Sequence, residues 1–167
     1  MLNAQAPTVA EDNGPISEDD EAMSVDVLVE TAIRRSPAEV SAYAGDPSNA
    51  SAWYANIRSV DWRTEPPVRV GSRMNFVAQF LGRRLAYTYE VVELVPGERL
   101  VMRTADGPFP METTYTWEPA GEGGTRMTLR NRGNPSGFAR VTGPVMERAM
   151  RRAMTKDLAR LKQILES

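Results

Sequence analysis

The middle of the sequence, from Arg73 to Arg132, alternates apolar and polar residues in short segments separated by turn signals. Alternation with a period of two predicts β-strands with one apolar face and one polar face. The strongest turn signals stand at residues 82–83, 96–97 and 121–124. Because a sheet of this kind buries its apolar face, another element of the chain has to cover it.

The one long helical pattern follows these strands, from about Thr142 to Leu165. Its apolar residues recur at spacings of three or four and form a continuous stripe. That stripe consists of Met146, Met150, Met154, Leu158, Leu161 and Leu165. Pro144 requires the regular helix either to begin near Thr142 or to be kinked there. We therefore expect the sheet to wrap around this C-terminal helix.

One strand and two short helices precede the alternating run. Residues 25–30 alternate in the pattern of a first strand. Residues 36–39 carry a capping box with proline at the first helical position, which predicts a helix over 37–44. A second helical turn ends at Trp53 and Tyr54, and a strand is expected over 60–64. The predicted fold class is α+β, with a curved antiparallel sheet of about six to seven strands.

Residues 1–23 differ in composition from the remainder. They contain six of the 22 acidic residues and no Lys or Arg, which predicts a disordered acidic leader before one domain over residues 24–167. The remaining 16 acidic residues face 20 basic ones, so the body is weakly basic. The leader lacks the apolar segment of a signal peptide, and no stretch reaches the length of a transmembrane helix. We expect a cytoplasmic protein.

The sequence contains no cysteine and no histidine. This composition excludes disulfides, thiolate zinc sites, a cysteine nucleophile, the Ser-His-Asp triad and histidine metal sites. Chemistry would have to come from carboxylates, arginine, lysine, hydroxyls, amides or backbone groups. We expect no metal and no organic cofactor.

Six short motifs together carry a family resemblance. They are residues 36–40, Trp53 after Asp46-Pro47, and residues 70–73, 89–93, 124–129 and 158–162. With them, the stretch from about Val25 to Glu166 resembles the START-like (SRPBCC) superfamily, in its polyketide cyclase/dehydrase and lipid-transport branch. The resemblance implies the helix-grip fold shared with Bet v 1-like proteins. It also implies a cavity between the sheet and the long helix that holds an apolar or aromatic small molecule.

The inward positions are rich in methionine and aromatic residues, which suit an adaptable pocket wall. Ordinary core packing would produce the same pattern. Trp53 and Tyr54 are expected near the mouth of the cavity, since each combines apolar area with a polar group. The candidate ligand contacts are Trp53, Tyr54, Met74, Phe76, Tyr87, Tyr89, Met102, Phe109, Met111, Thr113, Tyr115, Met127, Asn131, Met146, Met150 and Met154.

Candidate catalytic residues are Tyr87, Tyr115 and Asn131, because an inward hydroxyl or amide could stabilise a developing enolate. The sequence shows no obvious carboxylate pair for acid–base chemistry.

The arginines of the last strand have few aromatics between them, so they predict a solvated face rather than a nucleic-acid surface.

Three functions remain open at this point. The first is binding or transport of a hydrophobic small molecule. The second is catalysis of the aromatase, cyclase or dehydratase kind. The third is a stress-related or chaperone-related interaction module that uses the acidic leader and the basic helix. The sequence does not predict an oligomeric state.

Overall fold

The computed structural model describes residues 25–135 and 143–167. The strands are β1 (Val25–Ile33), β2 (Ile57–Trp62), β3 (Arg73–Phe80), β4 (Arg83–Val95), β5 (Arg99–Asp106), β6 (Met111–Ala120) and β7 (Gly124–Gly133). The helices are α1 (Pro37–Ala44), α2 (Ala50–Trp53) and α3 (Gly143–Glu166), with a 3-10 turn at Pro47–Asn49. The expected acidic leader and the expected helix start near Thr142 lie outside the described residues.

The strands of the described part form one antiparallel sheet in the order β1-β7-β6-β5-β4-β3-β2. Strands β2 to β7 follow one another as a meander, and β1 adds to the outer side of β7. The chain therefore passes from one edge of the sheet to the other through α1 and α2. The sheet curves into a half-barrel around α3, which confirms the predicted helix-grip fold.

The start of α1 is fixed by its capping box. The Ser36 hydroxyl accepts a hydrogen bond from the Glu39 amide at 3.2 Å, and the Glu39 carboxylate accepts one from the Ser36 amide at 3.0 Å. At the other end, a Cβ on Gly45 would lie only 2.6 Å from the Ser41 carbonyl oxygen. The absence of a side chain at Gly45 therefore lets the chain turn closely into the 3-10 segment.

Strand β2 begins three residues earlier than the alternation predicts, at Ile57 instead of Val60. Its extent follows its partner β3, with which it pairs from Ile57 opposite Ala78 to Trp62 opposite Met74. A bulge between Ile57 and Ser59 interrupts the period of two. Bulges of this kind shift side chains between faces, so simple alternation did not locate the strand start.

Helix α3 lies along β1, which is an edge strand of the sheet. The Arg151 guanidinium donates to the Leu28 carbonyl at 2.8 Å, and the Lys162 ammonium donates to the Ala32 carbonyl at 2.6 Å. Acidic side chains at both ends of α3 accept from β1 or from the residue after it. These bonds join Asp26 N to Glu147 Oε1 at 3.4 Å and Arg34 N to Glu166 Oε1 at 2.8 Å.

The C-terminal half of α3 is anchored in the core. Leu158 and Leu161 are 1% and 0% exposed, in one apolar cluster with Val25 and Val27 of β1.

No helix within residues 25–135 and 143–167 has the length and apolar character that a membrane crossing requires.

Replacing Leu161 by alanine tests this anchoring. We expect the Leu161→Ala variant to lose about 2–4 kcal/mol of unfolding free energy, because it leaves a cavity where the helix meets the sheet. Urea unfolding followed by circular dichroism measures the loss. Gln163→Ala, at an exposed position of the same helix, is the matched control and should unfold with the parent. Equal midpoints for Leu161→Ala and the parent would contradict the assignment.

Candidate functional site

A cavity lies between the concave face of the sheet and the N-terminal half of α3. Its volume is about 130 Å³. On the helix side it is bounded by Met146, Met150, Ala153 and Met154. Dry apolar cavities of about this size, near 150 Å³, hold one benzene ring. The unfilled space therefore matches a compact ligand.

Most of the predicted contacts are brought together in this cavity. They are Tyr54, Phe76, Tyr87, Tyr89, Met102, Phe109, Met111, Thr113, Tyr115, Asn131, Met146, Met150 and Met154. Phe80 of β3 lines it as well. The lining also includes residues that the sequence pattern did not single out. These are Val25, Asn56, Ile57, Ala78, Leu85, Gly133, Pro135, Ala153 and Asp157.

Three predicted contacts do not line the cavity: Trp53, Met74 and Met127. Each is 0% exposed and belongs to the packed core. Trp53 lies beside Tyr54, with ring centroids 3.9 Å apart in a stacked arrangement. It therefore supports Tyr54 from inside the protein and does not stand at the entrance. Alternation identifies the inward face of a strand, but it does not show where along the strand the helix closes on the sheet.

Three aromatic rings form one wall. The rings of Phe76 and Tyr87 are nearly parallel, 5.5 Å apart with an interplanar angle of 8°. Tyr89 meets both rings edge-on, at 5.5 Å from Phe76 and 5.1 Å from Tyr87. Such offset and edge-to-face arrangements are favourable for aromatic pairs, and they leave ring surface available to an apolar guest.

A chain of hydrogen bonds crosses the sheet side of the cavity. The Thr113 hydroxyl donates to Asn131 Oδ1 at 2.7 Å, and it lies 2.7 Å from the Tyr89 hydroxyl. Because the one proton of Thr113 goes to Asn131, Tyr89 must be the donor to Thr113. Burial raises the pKa of Tyr89 to about 12, so this tyrosine stays protonated at neutral pH.

Two further tyrosines pair with each other. The hydroxyls of Tyr54 and Tyr115 are 2.6 Å apart, and burial raises the pKa of both well above the usual range. The pair carries two protons and uses one between its oxygens, so one proton remains for another acceptor.

The Tyr87 hydroxyl and the Asn131 amide nitrogen also have hydrogen-bonding capacity to offer. Burial raises the pKa of Tyr87, which keeps its hydroxyl a donor. Neither group has a hydrogen-bond partner among residues 25–135 and 143–167, and both residues line the cavity. The sheet side of the cavity thus presents donors suited to a ligand carbonyl or hydroxyl.

Asp157 is the functional candidate that the sequence reading missed. Its side chain lines the cavity and the residue is only 4% exposed. Oδ1 accepts a hydrogen bond from the Ala55 amide at 3.0 Å. Burial raises its pKa to about 6, although this bond and the charge of Arg160 act in the opposite direction. The signal was present, because Asp157 lies three residues after Met154 and four before Leu161, on the apolar stripe.

The raised pKa predicts a pH-dependent stability that Asp157→Asn should remove. Between the ordinary value of 3.8 and about 6, the folded protein holds a proton that the unfolded chain has released. Wild-type stability therefore falls as the pH rises through this window. Between pH 4 and pH 7, the unfolding free energy of the variant should therefore rise relative to that of wild type by up to about 3 kcal/mol. Urea unfolding at a series of pH values measures this gain.

The control for this measurement is Asp61→Asn, which removes a carboxylate from an exposed position of β2. It should follow the wild-type pH profile. A difference between Asp157→Asn and wild type that stays constant from pH 4 to pH 7 would refute the buried titration.

Comparison with solved structures supports the same fold. A protein from Thermus thermophilus, TTHA0849, is 21% identical, with a TM-score of 0.69 over 83% of this chain and 94% of that chain. A START superfamily protein from Mycobacterium smegmatis is 13% identical, with a TM-score of 0.72 over 84% and 97%. The Zhui aromatase/cyclase from Streptomyces sp. R1128 is 13% identical, with a TM-score of 0.70 over 84% and 93%.

At these identities the likeness to solved structures shows a shared fold alone. No curated protein sequence matches the chain significantly. The family model described as polyketide cyclase / dehydrase and lipid transport, in contrast, matches residues 24–166. With the helix-grip architecture and the cavity under α3, this match shows that the chain belongs to the polyketide cyclase/dehydrase and lipid transport family.

Proposed function

We propose that the protein binds or carries a small apolar or aromatic molecule in the cavity under α3. The observation that carries this proposal is the lining itself, in which aromatic and methionine side chains surround a few polar groups with unused hydrogen-bonding capacity. Ligand pockets commonly combine an apolar wall with a small number of placed polar groups. The family match is consistent with a ligand of this class.

The size of the cavity favours a ligand built on a single ring. Methionines contribute to the wall from the sheet at Met102 and Met111, and from the helix at Met146, Met150 and Met154. Their unbranched side chains rearrange easily, so the wall can adapt to rings with different substituents. Partly exposed lining residues at Phe80, Phe109, Pro135 and Met150 suggest where a ligand enters.

A small molecule is the favoured partner, since the arginines of β5 and β7 already have acidic partners. Arg103 lies 2.7 Å from Glu112, and Arg126 lies 2.7 Å from Glu30. Paired arginines offer little free charge to a phosphate backbone.

We also propose that residues 24–167 form one domain and that the protein is cytoplasmic. Cell fractionation would test the location.

Filling the cavity should abolish binding without unfolding the protein. Ala153→Phe places a ring into the space beside Met150 and Met154, whereas Ala159→Phe adds the same ring at an exposed position of the same helix. We expect p-xylene to raise the melting temperature of wild type and of Ala159→Phe, because a ligand that binds the folded state stabilises it. Ala153→Phe should bind at least about tenfold more weakly.

Calorimetric titration with p-xylene gives the affinities, and circular dichroism shows whether Ala153→Phe is folded. Equal p-xylene affinity in the two phenylalanine variants would place the binding site elsewhere. No response of wild type to p-xylene, or to larger apolar ring compounds, would count against the binding function as a whole.

A second candidate is an enzyme of the aromatase/cyclase kind, motivated by the hydroxyls that face the cavity. Tyr87 and Tyr115 keep their protons at neutral pH, and with Asn131 they could donate to an enolate oxygen as a ring closes. The Zhui aromatase/cyclase has the same fold. If this candidate is correct, Tyr87→Phe, Tyr115→Phe and Asn131→Ala should each slow cyclisation of a poly-β-ketone model substrate by at least about tenfold. Unchanged turnover would remove these residues from any catalytic role.

A further inference from the structure

Asp157 brings a carboxylate into a cavity whose other walls are apolar, amide or hydroxyl groups. The residue is 4% exposed, and Oδ1 is engaged by the Ala55 amide at 3.0 Å. Within residues 25–135 and 143–167, Oδ2 has no hydrogen-bond partner. A carboxylate can accept about four hydrogen bonds, and within the described residues Oδ2 uses none of its share. This oxygen is therefore the acceptor in the cavity with the most to gain from a ligand.

No cation of the described chain neutralises this carboxylate directly. Arg160 on the same helix influences it electrostatically, but the Arg160 Nε is bound to the Ala52 carbonyl at 2.6 Å. The other titratable groups that face Asp157 are the hydroxyls of Tyr54 and Tyr115, which are neutral at physiological pH. Among the described residues, Asp157 takes part in no ion pair. Within residues 25–135 and 143–167, this oxygen is thus without a donor of its own and open to one from a ligand.

We infer that the cavity selects ring compounds carrying a hydrogen-bond donor, and that this donor binds the free oxygen of Asp157. This inference rests on the proposed function and specifies its ligand class. The ring would lie against Phe76, Tyr87 and Tyr89, which line the same small cavity as Asp157. A phenolic hydroxyl and a protonated amine both supply the required donor. Hydrogen bonds to a charged acceptor are stronger than those between neutral groups, so the donor adds selectivity beyond shape.

The test compares p-xylene with p-cresol, in which a hydroxyl replaces one methyl group at nearly constant shape. A third probe, 4-methylbenzylamine, supplies a cationic donor and distinguishes amines from phenols. For wild type at pH 7.5, calorimetry should give at least about tenfold tighter binding of one donor probe than of p-xylene. In Asp157→Asn, Oδ1 can still accept from Ala55, but the second position becomes an NH₂ donor. In this variant the donor probe should bind with about the same affinity as p-xylene, and the affinity for p-xylene itself should be retained.

Asp61→Asn, at an exposed position of β2, is the matched control and should keep the wild-type preference. A pH series adds a readout that a purely structural role of Asp157 would not move. Below the pKa of about 6 the carboxyl itself carries a proton, so the preference for whichever donor probe binds more tightly should decline from pH 7.5 to pH 5. The phenol does not titrate in this range, since its pKa is near 10. Asp157→Asn should show no such decline.

The outcomes separate the two levels of the proposal. If p-xylene binds but neither donor probe is preferred, or if the preference survives in Asp157→Asn, the role of Asp157 is wrong and the cavity remains a binding site. If wild type binds none of the three probes, the proposed function for ring compounds of this size fails, and the inference fails with it.

Discussion

One long helix, with two short helices beside it, has to cover the concave face of a wide sheet, and the other features of this protein follow from that constraint. Strands are spaced about 4.8 Å apart, whereas a helix with its side chains is about 10 Å across. Seven strands are therefore much wider than α3, even when the sheet curves around it. Near β1 the helix packs closely through Leu158 and Leu161. Near its N-terminal half, Met146 and Met150 face the unfilled space that forms the cavity.

The sequence carried enough information to predict the fold and the inward-facing side of each strand. The capping box at Ser36 gave the start of α1, and alternation along β6 placed Thr113 and Tyr115 on the concave face. Depth along the strand was not predictable, because it depends on where α3 contacts the sheet. For this reason Met74 and Met127 belong to the core and not to the cavity.

Asp157 shows a different limit of prediction from sequence. A polar residue on an apolar stripe is easily assigned to the solvent side, although its spacing from Met154 and Leu161 places it on the buried side. Keeping that carboxylate in a buried position opposes folding whenever it is charged. Functional sites often carry such local costs, and the surrounding core of the helix-grip fold compensates for them. The cost of Asp157 to the free protein is therefore consistent with a role in ligand recognition.

The side chains of α3 that bind β1 have a consequence for association between molecules. An uncovered edge strand offers a row of amides and carbonyls onto which another chain can add a strand. Here Arg151 and Lys162 occupy carbonyls of that row, while Glu147 and Glu166 occupy amides within it and just beyond its end. The helix thus terminates the sheet with a ladder of charged side chains in place of an eighth strand. Along that ladder the order is acid, base, base, acid, with the acids on amides and the bases on carbonyls. The helix that covers the cavity therefore also occupies part of the edge at which another strand could add.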